Sequence, residues 1–126
     1  MQGLVGTMWR VIEARSFDEV GRKLLPLGPH PIGFVIFEAE RMLGAIVDGS
    51  ASLPPDAPPR IFLAYTGHYR FNGSELITRA DDASKPELIV DQVRRIRFES
   101  ESQMVAVPVS GVPGQTGIEG VWERVR

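Results

Sequence analysis

The sequence predicts an all-β fold, and three observations support this prediction. β-branched residues are abundant, since the chain holds 13 Val and 9 Ile against 9 Ala, and such side chains favour the pleated surface of a strand. Gly and Pro number 13 and 10, and both interrupt helices and form turns. Runs of alternating apolar and polar residues recur between these turns. We therefore predict one domain over residues 1–126, an antiparallel up-and-down β-barrel of about eight to ten strands.

The first predicted strand is Thr7–Arg15, where apolar and polar residues alternate. The segment after it has two interpretations. One is a short lid helix over 17–25, with Ser16 and Glu19 as a capping box. The other is a hairpin that turns near Gly21 and returns as a short extra strand. The hairpin is the stronger prediction, because Gly21 and the prolines that follow disfavour a helix.

A second hairpin is predicted from Ile32–Phe37 and Arg41–Val47, joined by a turn over 38–40. The segment 49–60 contains four prolines, which remove backbone donors and fix φ. We predict a semi-rigid surface loop there, whose functional interpretation is the rim of a pocket.

In the second half of the chain, the sequence predicts only hairpins. Ile61–Phe71 is followed by Asn72 and Gly73, a pair that favours a two-residue type I′ turn. Further strands are predicted at 75–80, 89–99, 103–109 and 118–126, with loops over 81–86 and 110–117. Because no connection has the length of a helical crossover, neighbouring strands should run antiparallel.

Composition excludes several classes of function. The chain carries 14 basic and 16 acidic residues and a net charge of −2, which argues against nucleic-acid binding and an electrostatic membrane anchor. With no Cys and two His, disulfides, thiolate metal sites and a Cys nucleophile are excluded, so we expect no metal and no cofactor. The first residues show no secretory signal, and we expect a cytoplasmic protein.

Six short motifs follow one another in a fixed order along nearly the whole chain. They are Leu4-Val5-Gly6-Thr7-Met8-Trp9-Arg10-Val11, Pro31-Ile32-Gly33-Phe34-Val35-Ile36-Phe37, Arg41-Met42, Tyr65-Thr66-Gly67-His68-Tyr69-Arg70, Gln92-Val93-Arg94-Arg95 and Val121-Trp122-Glu123-Arg124. Together they resemble a bacterial and fungal lipocalin-like domain family, whose members are mostly uncharacterised. The resemblance implies a lipocalin/calycin-like barrel of eight to ten strands with an internal cavity, but fold alone does not fix function.

Three features depart from that family. Met8 is an extra residue between Gly6-Thr7 and Trp9, which a β-bulge in the first strand would absorb. The loop at 49–60 is shorter than the helical insert often found there. Arg79 stands where relatives often carry His, so a role of that His does not transfer.

Trp9 and Arg124 are the candidates for barrel closure. If the first and last strands pair antiparallel, Arg124 falls beside Trp9, and in lipocalins such an arginine stacks on the tryptophan at the base. A guanidinium over an indole contributes about 0.5–2 kcal/mol. Trp122 shares a strand face with Arg124 and competes for this place.

The strand 61–71 carries the first candidate ligand-binding residues. One face is aromatic and nearly apolar and should point inward; it holds Leu63, Tyr65, Gly67, Tyr69 and Phe71. Tyr65 and Tyr69 flank Gly67, which is the pattern of an apolar pocket with polar anchors. The alternative is two core tyrosines bonded to backbone. His68 lies on the other face and should point outward.

Arg94 is the candidate buried cation, because it alternates with Gln92, Ile96 and Phe98 on the less charged face of its strand. A buried arginine needs a partner. That partner is either a protein carboxylate, such as Glu13 or Glu119, which we favour, or the carboxylate of a ligand.

The hairpin 32–47 divides into an inner and an outer face. The inner set, which adds Phe37 and Met42 to the candidate ligand-binding residues, is Phe37, Met42, Gly44 and Ile46. The outer set is Phe34, Ile36, Leu43 and Ala45, an apolar patch of the kind that marks an interface. Either the segment 17–30 or a second copy of the chain should cover it, and we favour a homodimer.

These residues predict a barrel that binds one small, mostly apolar molecule, oriented by Tyr65 and Tyr69 and met by Arg94. One alternative is an isomerase or cyclase that uses Tyr69 or Glu13 as acid or base. Another is an interaction module with a filled core. Cavity size separates them: without a cavity of at least about 300 Å³, the expectation is a filled core and neither ligand hypothesis.

Overall fold

The computed structural model of the protein describes residues 3–57, 59–109 and 117–125. These residues form nine strands and one short 3₁₀ helix, η1 (Pro86–Leu88). The strands are β1 (Thr7–Phe17), β2 (Lys23–Leu24), β3 (Pro31–Phe37), β4 (Arg41–Asp48), β5 (Phe62–Phe71), β6 (Glu75–Ala83), β7 (Asp91–Ser100), β8 (Gln103–Pro108) and β9 (Glu119–Val125). Within the described residues, no helix is long enough to cross a membrane.

Eight of these strands close into an antiparallel barrel, as the sequence predicts. The order around the barrel is β1-β3-β4-β5-β6-β7-β8-β9, and β9 returns to pair with β1. Met8 therefore has a partner on each side, Ile36 in β3 and Val125 in β9. Closure removes the free sheet edges that would otherwise invite pairing with other chains.

The segment after β1 forms the hairpin and not the lid helix. Gly21 has φ of +84°, which glycine adopts readily, and β2 pairs with the end of β1. The carboxylate of Asp18 accepts hydrogen bonds from the backbone N–H groups of Val20 and Arg22. The lid-helix alternative, in which Ser16 caps a helix, is therefore wrong, because the carboxylate of Asp18 organises a turn there.

The bulge in β1 lies farther along the strand than the extra Met8 suggested. The pairing of β1 with β9 shifts register between Val11 and Glu13. Val11 and Ala14 are both buried, so the bulge turns Ala14 inward in place of Glu13. Met8 is accommodated by ordinary alternation: it faces outward, while Trp9 beside it is fully buried.

The turn between β5 and β6 is a hairpin, but the predicted type I′ geometry is wrong. That turn needs positive φ at both central residues, and in the described chain positive φ occurs only at glycines. Asn72 instead accepts hydrogen bonds through its side-chain oxygen from the backbone N–H groups of Ser74 and Glu75. Hydrogen bonds to the side chain of Asn72 thus stabilise the turn without a left-handed backbone conformation at this residue.

β6 runs to Ala83 and replaces the first part of the loop predicted at 81–86. A register shift opposite Gly67 leaves Asp81 without a partner residue on β5. Asp81 forms a bidentate ion pair with Arg41, with N–O distances of 2.7 and 2.8 Å. The polar pair Asp81-Asp82 suggested a loop, whereas the bulge lets β6 continue through it.

The barrel has two unlike ends. At one end, which we call the base, strands are joined by short turns over 38–40, 72–74 and 101–102. At the other end, the mouth, the connections are longer and include 18–30 and 49–61. The base is filled by the hydrophobic core, in which Trp9, Phe37 and Leu4 are almost completely buried.

Candidate functional site

A cavity of about 90 Å³ lies inside the barrel. Its lining includes the whole predicted inner set of β3 and β4: Phe37, Met42, Gly44 and Ile46. Among the half-buried residues of the lining, Ile46 and Leu63 lie toward the mouth, on the end of β4 and the first residues of β5. The cavity therefore opens toward the mouth and is closed toward the base.

Four of the five predicted ligand-binding residues line this cavity together. They are Tyr65, Arg94, Phe37 and Met42. Among the described residues of the lining, Arg94 is the charged one, and the rest are mainly apolar. Alternation along single strands was enough to find these four, because each strand presents one face to the interior.

Arg94 is held by a short relay of hydrogen bonds. One terminal N–H donates to the side-chain oxygen of Gln92 over 3.1 Å, and a second donates to the carbonyl of Val93 over 3.2 Å. The amide nitrogen of Gln92 donates in turn to the carbonyl of Leu88 over 3.0 Å. Gln92 is completely buried and Arg94 is 7% exposed, so the relay fixes the guanidinium in the wall.

The carboxylates that we expected to pair with Arg94 lie elsewhere. Glu13 and Glu119 both bind Arg15, and Glu13 also binds Lys23. These hydrogen bonds, with Lys23 the largest cause, lower the pKa of Glu13. The prediction of a Glu13 or Glu119 partner for Arg94 is wrong, because the bulge after Val11 turns Glu13 away from the interior.

Tyr69 does not belong to the cavity lining. Its hydroxyl donates to the backbone carbonyl of Glu38 over 2.5 Å, and its ring meets Phe37 edge-on with centroids 5.2 Å apart. Burial, reinforced by the charge of Glu38, raises the pKa of the phenol. For Tyr69 the structure therefore matches the alternative of a core tyrosine bonded to backbone near the base.

Trp122 is a member of the lining that the sequence argument did not assign to it. Its indole lies over Gly120, since a Cβ on that glycine would fall 2.5 Å from the indole nitrogen. Within the described chain, no hydrogen-bond acceptor of this N–H is found, and the side chain is half-buried. The sequence feature that indicates this position is the spacing Gly120-Val121-Trp122. Because Gly120 has no side chain, the indole ring has space to lie over it, toward the mouth.

At the base, Trp9 is fixed by a chain of hydrogen bonds. Its indole N–H donates to the Thr7 hydroxyl over 2.8 Å, and that hydroxyl donates to the carbonyl of Leu4 over 2.5 Å. The ring packs at 6.2 Å from Phe98. The register places Arg124 directly beside Trp9, as expected, while stacking of the guanidinium on the indole stays a prediction.

The described residues contain no cluster of three or more His, Asp or Glu side chains arranged to hold a metal ion. His68 is exposed on the outer face, and Arg79 pairs across the surface with Asp91. Among the described residues that line the cavity, the ionisable ones are Arg94 and Tyr65.

No protein-family model and no curated protein matches the chain significantly. Among solved structures, the chain is similar to an uncharacterised protein from Bacteroides eggerthii DSM 20697, with a TM-score of 0.53 and 12% identity. The match covers 98% of this chain and 100% of that one. At this identity the likeness concerns the fold alone, a closed antiparallel barrel of eight strands.

Proposed function

We propose that the protein binds a small, mainly apolar molecule that carries a carboxylate or carbonyl group, with the apolar part in the barrel cavity and the polar group at Arg94. The observation that carries this proposal is the place of Arg94. Arg94 is 7% exposed and lies in a wall that is otherwise mainly apolar.

Electrostatics favours an anionic group at this position. A positive charge held in a mainly apolar wall attracts an anion more strongly than the same charge in bulk water. Because Gln92 already orients the guanidinium, little conformational entropy is lost when the ligand binds.

The cavity volume limits the ligand. At about 90 Å³, the cavity does not reach the roughly 300 Å³ that separates an enclosed ligand from a filled core, and it is below the roughly 150 Å³ of an engineered cavity that holds benzene. By enclosed volume alone, the interior is nearer to the filled-core alternative. A drug-sized molecule does not fit inside. The ligand is therefore either very small or extends out of the mouth, past Tyr65 and the indole of Trp122.

Two further features support binding. Mouths of β-barrels are frequent ligand sites, and the ordered motifs resemble a lipocalin-like family whose barrels enclose a cavity. The enzyme alternative has less support, because its proposed acid–base residues, Glu13 and Tyr69, both lie outside the cavity lining. An absence of any binding would favour the filled-core alternative.

The test compares three ligands of equal chain length: hexanoate, hexanol and hexylamine, each titrated calorimetrically into the protein. We expect hexanoate to bind at least about tenfold more tightly than hexanol, a difference of about 1.4 kcal/mol, and hexylamine to bind most weakly. In Arg94→Met the preference for hexanoate should disappear.

Arg79→Met is the matched control, because Arg79 is an exposed arginine on the outer surface of the barrel. This variant should bind the three compounds as the native protein does. Equal affinity for all three compounds, or loss of hexanoate binding in Arg79→Met as well, would contradict the proposal.

A further inference from the structure

An apolar patch covers the outer face of β1, β3, β4 and β5, opposite the cavity wall. The register arranges its side chains in three rows across these strands: Met8, Ile36 and Leu43; then Phe34, Ala45 and Ala64; then Ile32, Val47 and Phe62. We call this set the outer patch. Ile32 is 57% exposed, and Leu43 and Phe62 are each 50% exposed.

The segment 17–30 does not cover the outer patch. Phe34 at its centre remains 42% exposed. Val20 and Leu24 of the segment are themselves 76% and 47% exposed. The described residues therefore leave the outer patch open, and the first of the two covers considered from the sequence is wrong.

On one row of the outer patch, a large side chain (the knob) lies beside small residues that leave a groove. In its middle row, the large side chain of Phe34 is followed on the next two strands by Ala45 and Ala64. The rows on either side carry larger residues, Leu43 on one and Phe62 on the other. The two alanines thus form the floor of a groove about two strand spacings wide, roughly 10 Å, with Phe34 at one end.

We infer that a second copy of this chain occupies the outer patch in a two-fold symmetric dimer, in which Phe34 of each copy inserts over Ala45 and Ala64 of the other. A two-fold interface requires a surface that complements itself. A knob and a groove on the same row satisfy this requirement, since the rotation that seats one Phe34 seats the other.

The exposure of the outer patch agrees with this occupant. Five of its large apolar side chains are between 36% and 57% exposed: Met8, Ile32, Phe34, Leu43 and Phe62. Contiguous exposed apolar side chains of this kind mark an interaction site.

The charges around the outer patch also favour a second copy over a membrane surface. Its borders carry the ion pairs Arg10–Glu123 and Arg41–Asp81. Each pair is neutral, so two copies meet there without like charges facing each other. A membrane-binding surface would need an excess of basic residues, and the chain has a net charge of −2.

The experiment measures molar mass by sedimentation equilibrium of the native protein and of Phe34→Glu and Ala45→Lys. The native protein should be a dimer at micromolar concentration. Each variant alone should dissociate at least 100-fold more readily, because two copies of the new charge are buried against apolar groups.

Mixing the two variants tests the geometry. In the mixed dimer, Glu at position 34 of one copy meets Lys at position 45 of the other, while the second contact keeps the native Phe34 and Ala45. The mixture should therefore form a dimer that neither variant forms alone. This rescue also shows that both variants are folded.

Ile89→Glu is the control, because Ile89 is an exposed apolar residue outside the outer patch. This variant should dimerise as the native protein does. A native protein that stays monomeric at several hundred micromolar, a dimer weakened equally by Ile89→Glu, or variants that fail to associate on mixing would each overturn the inference.

Discussion

The base and the mouth of the barrel are built from the same eight strands, yet they use their aromatic residues in different ways. Trp9 at the base is completely buried, and its N–H bonds to Thr7. Trp122 at the cavity is half-buried, and its ring lies over a glycine. The same contrast separates the two tyrosines: Tyr69 donates to a backbone carbonyl, while Tyr65 lines the cavity.

The difference shows how one closed sheet can combine a stable core with a binding surface. At the base, short turns allow side chains of several strands to pack closely and to satisfy their polar groups. Around the cavity, the lining includes the small residues Gly44, Ala14 and Ala106, which leave space inside the barrel. Stability should therefore depend mainly on the base, and ligand binding on the mouth.

The largest expected effect comes from removing the two indoles. Trp9→Ala should lower the free energy of unfolding by about 3–5 kcal/mol, because it leaves a large cavity in a packed core. Trp122→Ala should cost about 1–2 kcal/mol, since the ring is half-buried and space already surrounds it. Denaturant unfolding measures both, and an equal loss in the two variants would remove the distinction between base and mouth.

The next prediction compares substitutions at two glycines that face the interior. A Cβ at Gly67 would fall 2.0 Å from the carbonyl oxygen of Arg79, whereas at Gly44 the nearest atom would be 3.6 Å away. Gly67→Ala should therefore destabilise by about 3 kcal/mol, because the backbone of β6 must shift.

Gly44→Ala, by contrast, should stabilise by about 0.4–1 kcal/mol by restricting the unfolded chain. Thermal unfolding of the two variants against the native protein measures these effects. A Gly44→Ala variant as unstable as Gly67→Ala would mean that the cavity wall is as tightly packed as the sheet contact at the bulge.

The smallest effect is a dependence of stability on alkaline pH. Because burial raises the pKa of Tyr69 above its ordinary value of 10.0, the folded state holds this proton more tightly than the unfolded state. The stabilisation of the folded state by the protonated phenol of Tyr69 is fully present below pH 10. It is lost as the pH rises through the pKa of the folded state.

The chain has two tyrosines, so a Tyr65→Phe variant leaves Tyr69 as the phenol observed. Ultraviolet absorbance of the phenolate should then give a titration midpoint above 10 in the folded protein. A midpoint at or below that value would contradict the burial of Tyr69 and its bond to Glu38.

The fold was predictable from the sequence because its signals are local. Alternation placed Phe37, Met42, Tyr65 and Arg94 on the inner face, since each strand has one inward side. The hairpin at Gly21 followed from a residue that tolerates positive φ. Antiparallel order followed from connections too short for a crossover.

The predictions from the sequence that proved wrong concern features that depend on pairing between strands. The bulge after Val11 turns Glu13 outward, and no pattern within β1 alone marks its position. Asp81 looked like part of a loop, but the bulge in β6 keeps it within the strand, where its carboxylate forms an ion pair with Arg41. Tyr69 shares a strand face with Tyr65, but only the three-dimensional structure shows that the carbonyl of Glu38 lies within reach of its hydroxyl.

The central claim is that a ligand enters at the mouth and reaches Arg94 while the base stays unchanged. The chain has two tryptophans, so its proton NMR spectrum has two indole N–H signals, one from each end of the barrel. On titration with hexanoate, the signal of Trp122 should shift in a saturable way and that of Trp9 should stay in place. A shift of Trp9 with Trp122 unmoved, or no saturable shift of either signal, would contradict the claim.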